Sequence, residues 1–224
     1  MTAAELEVAP PRVRTTRRLW RRFARNRPAM AGLVVAGVFT LAALFAPLVA
    51  PAPPDRTVFA EALQPPSSAH WLGTDDLGRD QLSRVIYGLR ASLQVGVLSV
   101  ALAMAVAVPL GLLAGYYPRV DPVVSRLTDT LLAFPFLVLA VGLAAILGPS
   151  LLNATIAIAV NEMPRPLRVI RGETISLREE DFVEAAVANG ASGPAILAGH
   201  ILPNALNALI VQATIAIPLA IIDE

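Results

Sequence analysis

The chain has no cysteine and no lysine, and only two histidines, His70 and His200. Without cysteine there is no disulfide and no thiolate chemistry. Without lysine there is no Walker A phosphate site and no Schiff-base nucleophile. Two histidines are too few for a histidine-built metal site. Charge is sparse: charged residues make up 16% of the 224, against 55% hydrophobic. Mean hydropathy is +0.62. That balance is too apolar for a soluble domain and points to an all-α polytopic membrane protein.

Uncharged stretches locate the spans. Ala29–Ala50 is 22 residues long, about 33 Å as a helix, enough for a hydrocarbon core of about 30 Å. Ala91–Pro118 is a second stretch. Thr130–Asn161 is a third, 32 residues long, or about 48 Å as one helix, too long for a single crossing. Gly148-Pro149-Ser150 interrupts it, which predicts two short spans, 130–147 and 151–166. Ile201–Ile222 is the last apolar run.

All 18 basic residues are arginine, and their distribution tests this division. Eight lie before Ala29. With two spans in the third stretch, fourteen arginines fall on the N-terminal side and four (Arg56, Arg79, Arg84, Arg90) on the other. The positive-inside rule then places the N-terminus and the 161–198 loop in the cytoplasm. A cleaved signal peptide fits poorly, because the apolar run is too long and Pro51 follows the best small-residue site. The N-terminal arginines read as a headgroup-facing anchor, not a nucleic-acid surface. The chain therefore divides into a basic cytoplasmic segment (1–28), a first span (29–50), an outer loop with an amphipathic helix (51–90) and a membrane core (91–224). The core carries a cytoplasmic loop over 167–200.

Residues 51–69 are rich in Pro and Ser. Leu82, Val85, Ile86 and Leu89 then recur at helical spacing and predict a short amphipathic helix leading into the second span. Gly111 and Gly115 form a GxxxG pair that permits close helix approach. Pro109 and Pro135 are expected to bend their helices.

In the cytoplasmic loop, Ser176-Leu177-Arg178-Glu179 has capping-box form and predicts a helix start. Phe182, Val183, Ala186 and Val187 would share one face. Gly190 suits a left-handed helix end, and Ser192 with Pro194 would open a second short helix. Such a hairpin is often a plain connector. It can also dock a partner: Ala185 and Ala186 allow close approach, Glu184 offers a carboxylate, and the apolar face suits a groove.

The spacing Glu184-Ala185-Ala186, three residues, Gly190, nine residues, then x-x-Leu202-Pro203 resembles the EAA loop of ABC-importer permease subunits. His200-Ile201-Leu202-Pro203-Asn204 is similar to the peptide-importer variant of its end. His70-Trp71-Leu72-Gly73-Thr74-Asp75-Asp76-Leu77-Gly78-Arg79-Asp80, Tyr87-Gly88 and Arg90-Ala91-Ser92-Leu93 resemble the C-type permease of dipeptide, oligopeptide and nickel importers. Gly115-Tyr116-Tyr117 and Asp129–Pro135 continue the likeness, although Pro118 replaces an expected glycine. The resemblance covers most of residues 15–224.

It implies a type I ABC importer transmembrane domain with five spans present; the family's sixth span follows the Asp223-Glu224 position. It further implies a second permease subunit, two ATP-binding subunits that hold ATP and Mg, and an extracytoplasmic solute-binding protein. This chain itself would hold no cofactor and no metal and perform no bond chemistry. Glu184, Ala185, Ala186 and Gly190 would transmit, with Leu202 and Pro203 as the hinge into the last span. Asn204, Asn207, Gln212, Thr214 and Asn153 are polar residues within spans and candidates for the translocation path. Helix–helix hydrogen bonding is the equal alternative for each. Peptide is the expected cargo, nickel or another small solute the alternative. A secondary transporter or a membrane scaffold would share the apolar composition, but a secondary transporter usually carries ionisable groups in its spans.

Overall fold

The structure is a computed structural model that describes residues 23–148 and 150–223. The described residues form helices joined by turns, with one isolated antiparallel bridge, Thr74–Asp80, and no strand. Contacts divide the chain into two units, Met1–Leu89 and Arg90–Glu224.

In the first unit, α1 (Arg27–Leu44) starts at Asn26, whose Oδ1 accepts from the Ala29 N–H at 3.3 Å. Pro28 sits in its first turn, where a missing N–H costs nothing. A break at Phe45 leads into the short α2 (Ala46–Val49). Leu33, Val34, Val38, Phe39 and Leu41 are all exposed, so α1 is apolar around most of its circumference. That is the surface a lipid-facing span requires.

Helix α3 (Gln81–Tyr116) begins in the first unit and continues into the second. The predicted amphipathic helix is thus its first turns, and the second span follows without interruption. It runs through Pro109 unbroken. At 36 residues it is about 54 Å long.

In the second unit, α4 (Asp121–Ala133) and α5 (Phe136–Leu147) meet at 91° across Phe134-Pro135. The sequence predicts a bend at this proline, and the structure has a break there. Pro135 drives Phe134 into extended backbone, at φ −87° and ψ 129°. The chain reverses at Gly148, with φ +84°, and α6 (Leu151–Glu162) returns against α5. The turn therefore falls where the sequence predicts it. Met163 alone separates α6 from α7 (Pro164–Arg178).

Among the described residues three helices are long and apolar enough to cross a membrane: Arg27–Leu44, Gln81–Tyr116 and Gly193–Ile222. The bent pair α4–α5 makes a fourth if counted as one span. Helix α6, at 12 residues, covers about 18 Å by itself.

Small residues bring the core together. A side chain at Gly111 would strike Ile170, and one at Gly115 would strike Thr174, so the GxxxG pair is the contact of α3 with α7. Ser99 Oγ donates to the Thr155 carbonyl at 3.0 Å and ties α3 to α6. Arg171 forks onto Asp121, with Nη2 2.6 Å from Oδ2, and Arg168 Nη2 reaches Asp129 at 2.7 Å. Both pairs join α7 to α4. Arg165 Nη1 lies 2.9 Å from the buried carboxylate of Glu162. Three arginines that mark sidedness in the sequence are thus also ion-pair partners.

Candidate functional site: the Glu-Ala-Ala loop

The expected helix start at Ser176 is not observed. Helix α7 continues to Arg178, leaving Ser176 exposed in its last turn. Tertiary contacts override the local signal. Leu177 packs against the core, and Arg178 Nη1 donates to the Tyr116 carbonyl at the end of α3, at 3.3 Å. The loop helix α8 (Asp181–Ala188) starts five residues later, from Glu180 in extended backbone. Asp181 and Glu184 lie in its first turn, where carboxylates favour the positive helix end.

Only one residue of the expected apolar face is buried. Val183 is 1% exposed, while Ala186 is half-buried and Phe182 and Val187 are exposed. Val183 enters a cluster with Leu112, Ile170, Ile196, Leu197 and Ile201. It therefore plugs α8 into residues from α3, α7 and the start of the last helix. Glu184 and Ala185 point away from that plug, exposed.

Gly190 has φ +81° and ends the helix turn, as its position in the sequence predicts. Ser192 precedes α9 (Gly193–Ile196), but its side chain makes no capping bond. Gly193 fits because a side chain there would meet the Tyr117 hydroxyl. Tyr117 in turn packs edge-on against Tyr116, with centroids 4.9 Å apart at 84°. An open cavity of about 480 Å³ lies beside α8, lined by Tyr116, Arg178, Val183, Glu184, Val187 and Ala188. Arg178 ends the helix just before α8, whereas Tyr116 comes from the end of α3, 62 residues before Arg178 in the chain, so sequence spacing could not bring Tyr116 here.

The expected hinge at Leu202-Pro203 lies within a continuous rod. From α9 the chain passes through a π-helical turn, Leu197–Ile201, into α10 (Leu202–Ile222). The Leu202 N–H donates five residues back, to Leu197. Pro203 has no N–H and crowds the preceding turn, and a widened turn accommodates it. The rod spans 30 residues, Gly193–Ile222.

The polar span residues separate into two groups. Asn204, Asn207 and Thr214 are exposed on α10, away from the buried Ala205, Leu209, Ala216 and Ala220. Asn204 Nδ2 donates to the His200 carbonyl at 2.7 Å and Thr214 Oγ1 to that of Ile210 at 2.8 Å. Gln212 is half-buried. Asn153 lies apart from these, at the α5–α6 turn. Its Nδ2 donates to the Gly148 carbonyl at 2.8 Å and its N–H to Ser150 Oγ at 3.2 Å. It also lines a separate cavity of about 360 Å³ with Phe136, Val141 and Asp223.

Residues 107–224 match the family model of the binding-protein-dependent transport system inner membrane component. The chain belongs to that family. Residues 15–66 match a second model, the N-terminal TM domain of oligopeptide transport permease C. As a member of this family the chain is an inner-membrane permease subunit. It is 46% identical over 208 residues to the dipeptide transport system permease protein of Alkalihalophilus pseudofirmus, covering 92% of this chain and 68% of that protein. It is 42% identical to the di/tripeptide transport system permease protein of Pseudomonas aeruginosa, covering 91% and 70%. It is 39% identical to the glutathione transport system permease protein of Pectobacterium atrosepticum, covering 92% and 69%.

Proposed function

We propose that this permease forms half of the pathway of an ATP-driven peptide importer and that α8 is where ATP-binding subunits grip it. The observation that carries the reading is the two-sided character of α8: Val183 buried in the core, Glu184 and Ala185 exposed beside an open groove. A helix of that kind fits a groove on a soluble partner. Glu184 supplies a charge-assisted bond to an arginine or backbone amide across the interface.

Coupling then follows from rigidity. A displacement of α8 moves Val183 against Ile196, Leu197 and Ile201, which belong to the rod that becomes α10. Closure of the ATP-binding subunits, with their ATP and Mg, would thereby turn the face bearing Asn204, Asn207 and Thr214. In this reading those residues, with Gln212, border the path shared with a second permease. A solute-binding protein delivers cargo on the outer side, and the basic N-terminus stays cytoplasmic. The peptide assignment rests on the named cargo of the similar permeases.

The test is affinity capture of the tagged chain from its native membrane, wild type against Glu184→Arg. ATP-binding subunits captured with wild type and lost from the variant support the reading. Equal capture by both removes Glu184 from the interface. Uptake of a labelled dipeptide, compared with radioactive nickel, assigns the cargo.

A further inference from the structure

Between Ala52 and Ser83 the usual burial pattern is inverted. The buried side chains here include Thr74, Asp80 and Ser83. The exposed ones include Phe59 at 73%, Leu63 at 74%, Trp71 at 71% and Leu72 at 48%. Such a concentration of exposed apolar side chains marks a surface that meets something other than water.

The polar interior is fully engaged. Asp80 Oδ2 accepts the N–H and hydroxyl of Ser83 at 2.8 and 2.7 Å, and Asp80 Oδ1 faces His70 Nδ1 at 3.0 Å. Ser83 Oγ accepts from the Ala52 N–H at 3.0 Å. Leu63 adopts φ +55°, a left-handed conformation unfavourable for leucine. Its N–H donates to the Asp75 carbonyl at 2.9 Å, and the next N–H, of Gln64, donates to Thr74 Oγ1 at 2.9 Å. A glycine would relieve the strain and present no side chain. The leucine is instead held with its side chain exposed.

We propose that Phe59, Leu63, Trp71 and Leu72 form an interfacial anchor that seats this segment in the lipid headgroup layer. Continuity with the first span favours lipid as the occupant. Leu48 and Val49 at the end of α2 are exposed and apolar, and three residues later Ala52 is pinned to the first turn of α3. The segment therefore starts directly at the apolar end of the first span. Its irregular backbone suits hydrated headgroups and not the hydrocarbon core. Tryptophan is enriched at that depth, and the exposed Arg56 suits lipid phosphates.

The chain has two tryptophans, so Trp20→Phe leaves Trp71 as the sole indole. The full chain is reconstituted in vesicles of phosphatidylethanolamine and phosphatidylglycerol. One batch carries acyl chains brominated near the headgroup, another near the chain middle. The anchor predicts that shallow bromine removes at least half of the Trp71 emission, deep bromine removes less, and aqueous iodide has little access. Emission untouched by bromine at both depths overturns the proposal. In that case iodide quenching identifies a water-exposed loop, and protection from iodide identifies a protein-covered face. Leu63→Cys in this cysteine-free chain, labelled with a nitrobenzoxadiazole dye, gives an independent reading. A blue-shifted emission in vesicles supports the anchor, and a water-like emission overturns it.

Discussion

Residues 52–80 and residues 179–201 both connect helices outside the uncharged stretches, yet opposite chemistry holds them in place. The first is organised by buried polar groups: Asp80 caps α3, His70 faces Asp80, and Thr74 fastens the strained Leu63 turn. Gly73 and Gly78 have positive φ and lie so close to neighbouring carbonyls that no side chain fits. The second is organised by one apolar plug, Val183, with its carboxylates exposed. Hydrogen bonds are directional and fix a shape. An apolar plug is less directional and transmits displacement while its exposed face remains available. A fixed shape suits a segment that holds position, and a plugged helix suits one that is pushed.

The largest effect is expected from Val183→Asp. An unpaired carboxylate in the Leu112–Ile201 cluster costs about 3–5 kcal/mol by analogy with a broken buried ion pair. Thermal unfolding in detergent should drop by many degrees, and near wild-type stability would show that α8 is not plugged. Next comes Gly115→Val, which forces α3 away from Thr174 and the Arg171 carbonyl. About 1–3 kcal/mol is lost to overpacking, read by the same melt and by protease sensitivity.

In the 52–80 segment, Asp80→Ala leaves the buried Ser83 N–H and hydroxyl without their acceptor, a loss of about 1–3 kcal/mol. It should loosen residues 52–80 in hydrogen exchange while α8 is unchanged. Exchange spreading into α8 would break the contrast between the two connectors. Glu184→Arg, on an exposed surface, should change stability by less than about 0.5 kcal/mol while abolishing capture of the ATP-binding subunits.

The smallest effect is a pH dependence. Burial alone would raise the Asp75 carboxyl. The N–H groups of Arg79 and Leu77 and the Arg79 guanidinium outweigh it and hold the carboxyl at about 2, below its ordinary 3.8. A depressed folded value contributes stability that is complete above the unfolded value and lost as pH falls through the folded one. A change in Trp71 emission in the Trp20→Phe chain is therefore expected between about pH 4 and 2, and Asp75→Asn should remove it. An unchanged signal down to pH 2 would remove Asp75 from the framework.

Much of the arrangement is legible along the chain because its signals are local or periodic. The turn at Gly148, the left-handed Gly190 and the α3–α7 approach at Gly111 and Gly115 follow from glycine's missing side chain. The capping box at Ser176 predicts a helix start that the structure does not have, because such a box reports only on its own four residues. The Arg178–Tyr116 contact joins positions 62 residues apart and decides the matter. The Leu202–Pro203 joint similarly reads as a hinge, and the π turn before it makes it part of a rod.

Composition and hydropathy along the chain establish an all-α membrane protein, its uncharged stretches and the loop that carries the Glu-Ala-Ala pattern. Hydropathy, arginine asymmetry and glycine placement act over a few turns of chain and need no partner to be read. Tertiary packing settles which side of α8 is buried, that Tyr116 and Arg178 flank it, and that residues 52–80 turn their polar groups inward. Those outcomes depend on packing and hydrogen bonds between residues distant in sequence, whose energies exist only once the helices have met.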